Sequence, residues 1–339
     1  MQLPTWTADQ SQAFLRAMKS VATQGGAAPL LPISREMLAA TQAHVLHSAL
    51  PIDELEPIDP QALARLVRDP EQRRQLVQFV VLMPYAAMDV SSAKVALVDR
   101  FACALGVAAD CVSDLHRVRD HRLRRLAFDY LRRSLDAFAP DRSLTGRVKY
   151  FVEIVRQYRG EPLLAARYQR LADLPRGTLG RTFYDFYRDR RFPLPGEKGS
   201  FTEALVGHDM AHILGGFNTD MSGELDVGGF EAGMLQRPIG YELLLEVILD
   251  FHCGLAFSTI GGIEPGIGHF HPESVFAAYE RGAASNTNLL FDWDWWSVID
   301  EPVAELRERY EIRGVTQIVL PPPGEHDAHA REPLRATGS

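Results

Sequence analysis

The chain has 339 residues, 46% of them hydrophobic and 24% charged, with a formal net charge of −8 at pH 7. That is enough apolar material for one large core or two ordinary ones, and it excludes a disordered or fibrous chain. The acidic excess gives no global basis for binding nucleic acid. Cys103, Cys111 and Cys253 are too few and too scattered for a disulfide framework or a thiolate metal site, and they fit a reducing compartment.

The first residues, Met1 to Trp6, have no basic segment followed by an apolar one, so no signal peptide is expected and a cytoplasmic location is. A helix is expected from Ala8 to Val21, ended by Gly25-Gly26, and a second from about Ser34, read as its N-cap, with Met37, Leu38 and Val45 on one face. Pro51, Pro57 and Pro60 mark a stiff connector. Gln61 to Leu82 and Ser91 to Leu105 read as helices separated by Pro84 and by an Asp89-Val90-Ser91 cap, with Gly106 closing the second.

Leu115 to Phe138 reads as one helix, with Leu123, Leu126, Tyr130, Leu131, Leu135 and Phe138 recurring at three- and four-residue steps until Pro140. Arg147 to Tyr158 reads as another. No strand alternation precedes residue 200, and only Val315 to Leu320 looks strand-like after it. The expected fold is all-α, a multi-helix bundle. Residues 1–140 form an N-terminal helical region, 141–315 carry the chemistry, and 316–339 are a disordered tail rich in proline and small residues.

The sharpest feature is His208-Asp209-Met210-Ala211-His212. Imidazoles at i and i+4 share a helix face, the spacing that lets both bind one metal, and a chain of this composition would show the pattern by chance only about 0.02 times. Gly215-Gly216 should end the helix, and the following loop could fold back to bring Glu224 towards the histidines. Neutral imidazoles with one or two carboxylates suit a divalent metal: zinc first, then cobalt, iron or manganese. Surface histidines with a capping Glu are the plainer reading, which the apolar flanks Leu205, Val206, Ile213 and Leu214 argue against. Asp stands where the metalloprotease H-E-x-x-H pattern has its general base, which counts against a zinc hydrolase.

The run from His208 to Glu224 resembles the signature of the coenzyme Q (ubiquinone) biosynthesis protein 4 family, H-D-x-x-H, eleven residues, then E. Gly216, Thr219-Asp220 and Gly223 also match the family pattern, and Phe230 and Gln236 resemble its following aromatic and Gln. So do the apolar segment after residue 241 and a closing piece with Trp293, Trp295 and Trp296, followed by Pro302 to Ile312. The resemblance covers roughly residues 141–315; the N-terminal 140 residues are additional, and Tyr85 to Leu105 looks faintly like a TerB-type helical module.

The resemblance implies an all-helical, metal- and polyprenyl-binding protein with His208, Asp209, His212 and Glu224 as ligands and catalytic residues. It further implies oxidative decarboxylation at ring carbon C1 of a prenylated hydroxybenzoate, the carboxyl being replaced by hydroxyl, or a scaffold role without catalysis. The implied partners are a prenylated quinone precursor, other quinone-biosynthesis proteins and the membrane face, in a homo-oligomer and without nucleic acid. No dinucleotide or P-loop fingerprint is present, so oxygen and electrons must come from metal and dioxygen or from a partner.

Leu243 to Phe257 is apolar almost all round. Such a helix is buried as core, or one face, with Leu244, Ile248, Phe251 and Leu255, lines a tunnel for an isoprenoid tail. Glu242, Glu246, Asp250 and His252 interrupt the stretch from Tyr241 to Ile263, so it should not span a membrane. His269 and His271, at i and i+2, do not share a helix face and make a poor second metal pair. Seven arginines from Arg117 to Arg133 form either a solvated face or a surface resting on anionic lipid headgroups.

Overall fold

The computed structural model describes residues 4–138, 143, 146, 148, 152, 155, 156, 158–200, 202–235, 238–255, 266–291 and 293–314. Among these the fold is all-α, as expected: fourteen α-helices form, and the only β features are isolated bridges, Thr178 with Pro302 and Cys253 with Ile267. No described helix is long and apolar enough to cross a membrane. The expected strand at 315–320, the tail after it, Phe257, Gln236 and most of the helix expected at 147–158 lie outside the described residues.

The helices are α1 (Ala8–Ala22), α2 (Pro32–His44), α3 (Pro60–Leu66), α4 (Pro70–Ala86), α5 (Ser92–Leu105), α6 (Asp110–Arg119) and α7 (Leu123–Phe138). They continue with α8 (Pro162–Gln169), α9 (Leu179–Asp189), α10 (Val206–Gly215), α11 (Met221–Leu235), α12 (Pro238–Phe251), α13 (Pro272–Ala284) and α14 (Val303–Arg309). Local chemistry sets their ends. Thr7 and Gln10 form a reciprocal capping box at the start of α1, and Gly106, at φ 66°, closes α5 as expected.

Four expected boundaries move. α2 starts at Pro32, whose ring presets the first helical φ, so Ser34 lies inside the helix and does not cap it. The helix expected over 61–82 is two, because the Asp69-Pro70 step disfavours helical backbone at Asp69, whose carboxylate instead accepts from the Gln72 amide at 2.9 Å. Pro84 separates nothing: it sits near the end of α4, where one lost hydrogen bond is tolerated, and the helix runs to Ala86. The helix expected over 115–138 breaks at His121, φ 55°, between α6 and α7.

The chain forms two compact units, the first holding described residues up to Phe128 with Glu224–Ala283, the second those of Asp129–Gly223 with Ala284–Gly314. The sequence reading kept 141–315 together, whereas the stretch 224–283 packs with the N-terminal helices. In the first unit Phe14, Phe79 and Phe276 follow one another at centroid separations of 5.5 and 5.4 Å, joining α1, α4 and α13. The Tyr241 hydroxyl donates to the Gln78 carbonyl at 2.8 Å, and His252 Nε2 meets the Ala86 carbonyl at 3.0 Å. His44 on α2 bridges Glu280 and Glu273 on α13 at 2.7 and 2.9 Å. Leu244, Leu245, Ile248, Leu249 and Phe251 of α12 are buried, and Leu255 is half-buried.

In the second unit, Tyr168, Phe183, Tyr187, Trp295 and Trp296 form an aromatic core. Phe183 and Tyr187 are 4.4 Å apart and Trp295 and Trp296 4.1 Å, and Arg167 stacks on Trp296. This core seats α9 beside α10, which carries the two histidines.

Candidate metal centre

α10 begins from a 3₁₀ turn, Glu203–Leu205, and buries Val206, Met210, Ile213 and Leu214. Gly216, at φ 74°, ends it as expected, its amide donating to the His212 carbonyl at 2.8 Å. Arg307 on α14 covers the end, donating to the Ile213 and Leu214 carbonyls at 2.8 and 3.0 Å. Asp220 then caps α11, accepting from the Gly223 amide at 2.7 Å. Glu224 therefore stands in the first turn of a helix and not on a folded-back loop. Gly223 is required there, since a Cβ would lie 2.1 Å from the Asn218 carbonyl oxygen.

The Nε2 atoms of His208 and His212 are 3.2 Å apart, and ligand atoms of His208, His212 and Glu224 all lie within 4.8 Å of one another. Among the described residues this is the one such cluster of three potential ligands, and His269 and His271 join none. The donor set fits a divalent cation: tetrahedral zinc with bonds of about 2.0–2.1 Å holds two nitrogens about 3.3 Å apart. His212 is buried, and its Nδ1 faces the Phe217 carbonyl oxygen at 3.4 Å. With the proton on Nδ1, Nε2 keeps its lone pair for the cation.

Asp209 stands apart from that cluster. The buried Tyr187 of α9 donates its hydroxyl to Asp209 Oδ2, and burial, reinforced by the Asp209 carboxylate, raises the tyrosine well above its ordinary pKa. Next to this pair, the Tyr168 hydroxyl donates to Glu203 at 2.9 Å. Burial first, and Glu203 second, raise that tyrosine too.

Sequence reasoning made no reading of α9. Its signal was the apolar series Leu179, Phe183, Phe186 and Tyr187 at helical steps after Thr178, whose hydroxyl accepts from the Arg181 amide. It also missed Arg190, which follows α9, stacks on Phe186 at 3.9 Å and donates through Nε to the Thr219 hydroxyl at 3.0 Å. Within the motif, Gly216, Thr219, Asp220 and Gly223 thus each have a structural task.

The arginines of α6 and α7 divide. Arg117 pairs with the buried Asp114, Arg119 with Asp120, and Arg133 lies over Tyr130 at 4.5 Å. Arg122, just before α7, and Arg124, Arg125 and Arg132 on it are exposed, as are Phe128 and Leu131.

No established family pattern and no curated protein sequence matches the chain. Among solved structures, a candidate ubiquinone biosynthesis protein from Nostoc punctiforme PCC 73102 is similar at 19% identity, over 71% of this chain and 98% of that one, with a TM-score of 0.31. So low a score carries no weight for fold or site, which rest on the residues of this chain.

Proposed function

We propose that this is a divalent-metal protein of prenylated-quinone biosynthesis, acting on the carboxyl of a prenylated hydroxybenzoate by oxidative decarboxylation. The observation that carries the metal reading is the convergence of His208, His212 and Glu224 within 4.8 Å. The substrate class follows from the resemblance of His208 to Glu224 to the coenzyme Q biosynthesis protein 4 signature.

Three protein donors with Asp209 held by Tyr187 are the pattern of a catalytic site, which keeps a position open, and not of a closed structural one. Bound there, zinc or a related cation supplies Lewis acidity towards a carboxylate or phenolate oxygen. His208 and His212 offer neutral nitrogens, and Glu224 lowers the charge of the centre. Asp209 is a proton acceptor fixed by Tyr187. The overall exchange loses carbon dioxide and gains one oxygen atom. With water as the source, an external acceptor must take two electrons and two protons. With dioxygen as the source, directly or through a partner oxygenase, an external donor must supply two electrons so that the second oxygen atom leaves as water.

The alternative is a non-catalytic lipid-binding scaffold of the same pathway. A zinc hydrolase is disfavoured, because the residue at the position of its general base is the carboxylate engaged by Tyr187. Contact with an anionic membrane face is assigned to α7, where Arg124, Arg125, Phe128, Leu131 and Arg132 follow i, i+3, i+4 spacing on one exposed face.

The test is the lipid extract of a strain lacking the gene, analysed by mass spectrometry after complementation. Wild type should clear a prenylated intermediate that still bears its carboxyl, and His212→Ala should not. Restoration of the quinone by a folded His212→Ala protein would favour the scaffold. No change in any quinone intermediate on deletion would overturn both readings.

A further inference from the structure

Arg190 is a half-buried cation with a donor left over. Its Nε donates to the Thr219 hydroxyl at 3.0 Å, its Nη1 to the Phe186 carbonyl at 3.3 Å, and its Cζ lies over the Phe186 ring, 3.9 Å from its centre. Its Nη2 is buried with no hydrogen-bond partner among the described residues. Asp189 and Asp209 act on it through their charge, without a hydrogen bond to Nη2. Nearby, the residue before Thr219 carries a second orphan: Asn218 Oδ1 is buried and accepts from nothing described.

Both orphans adjoin the candidate metal centre. Phe186, against which the guanidinium stacks, has its ring 6.1 Å from the His212 ring. The loop that holds Thr219 and Asn218 begins at Phe217, whose carbonyl faces His212 Nδ1. A buried guanidinium N–H without an acceptor is costly, because it has left water and gained nothing in exchange. Stacking and the Nε and Nη1 bonds fix the plane of the fork, so the unused N–H keeps one direction. A pre-oriented guanidinium edge is the match for a carboxylate.

We propose that Arg190 is the anchor for the carboxylate of an organic acid bound beside the His208–His212–Glu224 centre, with Asn218 Oδ1 accepting from a hydroxyl of the same molecule. Thr219 and Phe186 hold the guanidinium in place. The inference deepens the functional reading above and rests on it for the identity of the acid. The seat itself rests on Arg190 and Asn218 alone.

The test is calorimetric titration of the full chain with benzoate, 4-hydroxybenzoate, benzyl alcohol and inorganic phosphate, each with chelator and then with zinc. Benzoate should bind the chelated wild type and lose at least about tenfold in affinity in Arg190→Gln, with Arg190→Lys in between. Benzyl alcohol, which has no charge, should not distinguish the three proteins. The gain of 4-hydroxybenzoate over benzoate should vanish in Asn218→Leu.

Circular dichroism and the zinc titration report whether each variant is folded. Equal benzoate affinity in folded wild type and Arg190→Gln, or no benzoate binding to wild type, overturns the proposal. Phosphate binding as tightly as benzoate overturns the carboxylate assignment. Benzoate binding that depends on Arg190 in a protein that takes up no zinc would leave the anchor standing and remove the metal reading. Zinc uptake without benzoate binding would do the reverse.

Discussion

His208 and His212 point their Nε2 atoms at each other across 3.2 Å, one helical turn apart on α10. Two ring nitrogens meet so closely around a shared proton or a shared cation, and a carboxylate of Glu224 closes on the same point. The sequence around them serves that convergence: Gly216 stops the helix, Asp220 starts the next one, and Gly223 lets the intervening loop lie against it.

Gly223→Ala removes no ligand and should still weaken the centre. Its Cβ would meet the Asn218 carbonyl oxygen at 2.1 Å, so the first turn of α11, which carries Glu224, must move. A displacement of ligands of this kind should cost about tenfold or more in zinc affinity, on the scale of losing an outer-shell partner. Competition with a chromophoric chelator measures it.

Tyr187→Phe deletes the donor to Asp209 and little else, since the ring stays packed on Phe183 at 4.4 Å. The variant should remain folded, with a loss of about 1 kcal/mol in urea unfolding. Its zinc affinity should change by less than about tenfold, below the effect expected for a direct ligand, while activity on a carboxylated substrate falls further.

Residues of α12 and of the segment after it separate core from candidate lipid contact. Leu245 is fully buried, and Leu245→Ala should cost about 2–5 kcal/mol in denaturant unfolding. Leu255 is half-buried, so Leu255→Ala should cost less than that range. A loss of prenyl-lipid binding confined to Leu255→Ala would identify the segment that follows α12 as the lipid contact.

His44 gives the first unit a pH dependence. Burial disfavours its charged form, but the hydrogen bonds it donates to Glu280 and then Glu273 outweigh this and raise its pKa above the ordinary 6.5. A raised folded pKa stabilises the fold fully below about 6.5, and that contribution fades as pH rises through the raised value. Solvent screens both carboxylates, so the contribution should be only about 0.5 kcal/mol. His44→Gln should lower stability at pH 5.5–6 and leave it nearly unchanged above about pH 8, where histidine is neutral in both states. An equal loss at both pH values would show that packing, and not charge, is what His44 contributes.

Much of this was legible in the sequence. The i, i+4 histidines, the glycine stop and the length of α5 follow from spacing and from single-residue conformational preferences. What was not legible depends on partners distant in sequence. Asp209 looked like a ligand because it shares a helix face with His212, but its neighbour is Tyr187, twenty-two residues earlier. Arg190 and Arg307 carry no local pattern, and their tasks appear only when α9 and α14 are placed beside α10. The packing of 224–283 with the N-terminal helices is equally non-local, set by contacts such as Tyr241 with Gln78.

The most direct test of the metal assignment is a titration with cobalt(II), followed by its visible absorption, on wild type, His212→Ala, Glu224→Gln and Asp209→Asn. Wild type should take up one equivalent with a four- or five-coordinate spectrum. His212→Ala and Glu224→Gln should lose about a hundredfold or more in affinity, and Asp209→Asn less than about tenfold. No cobalt binding by wild type, or loss in Asp209→Asn as large as in Glu224→Gln, would contradict the three-ligand centre.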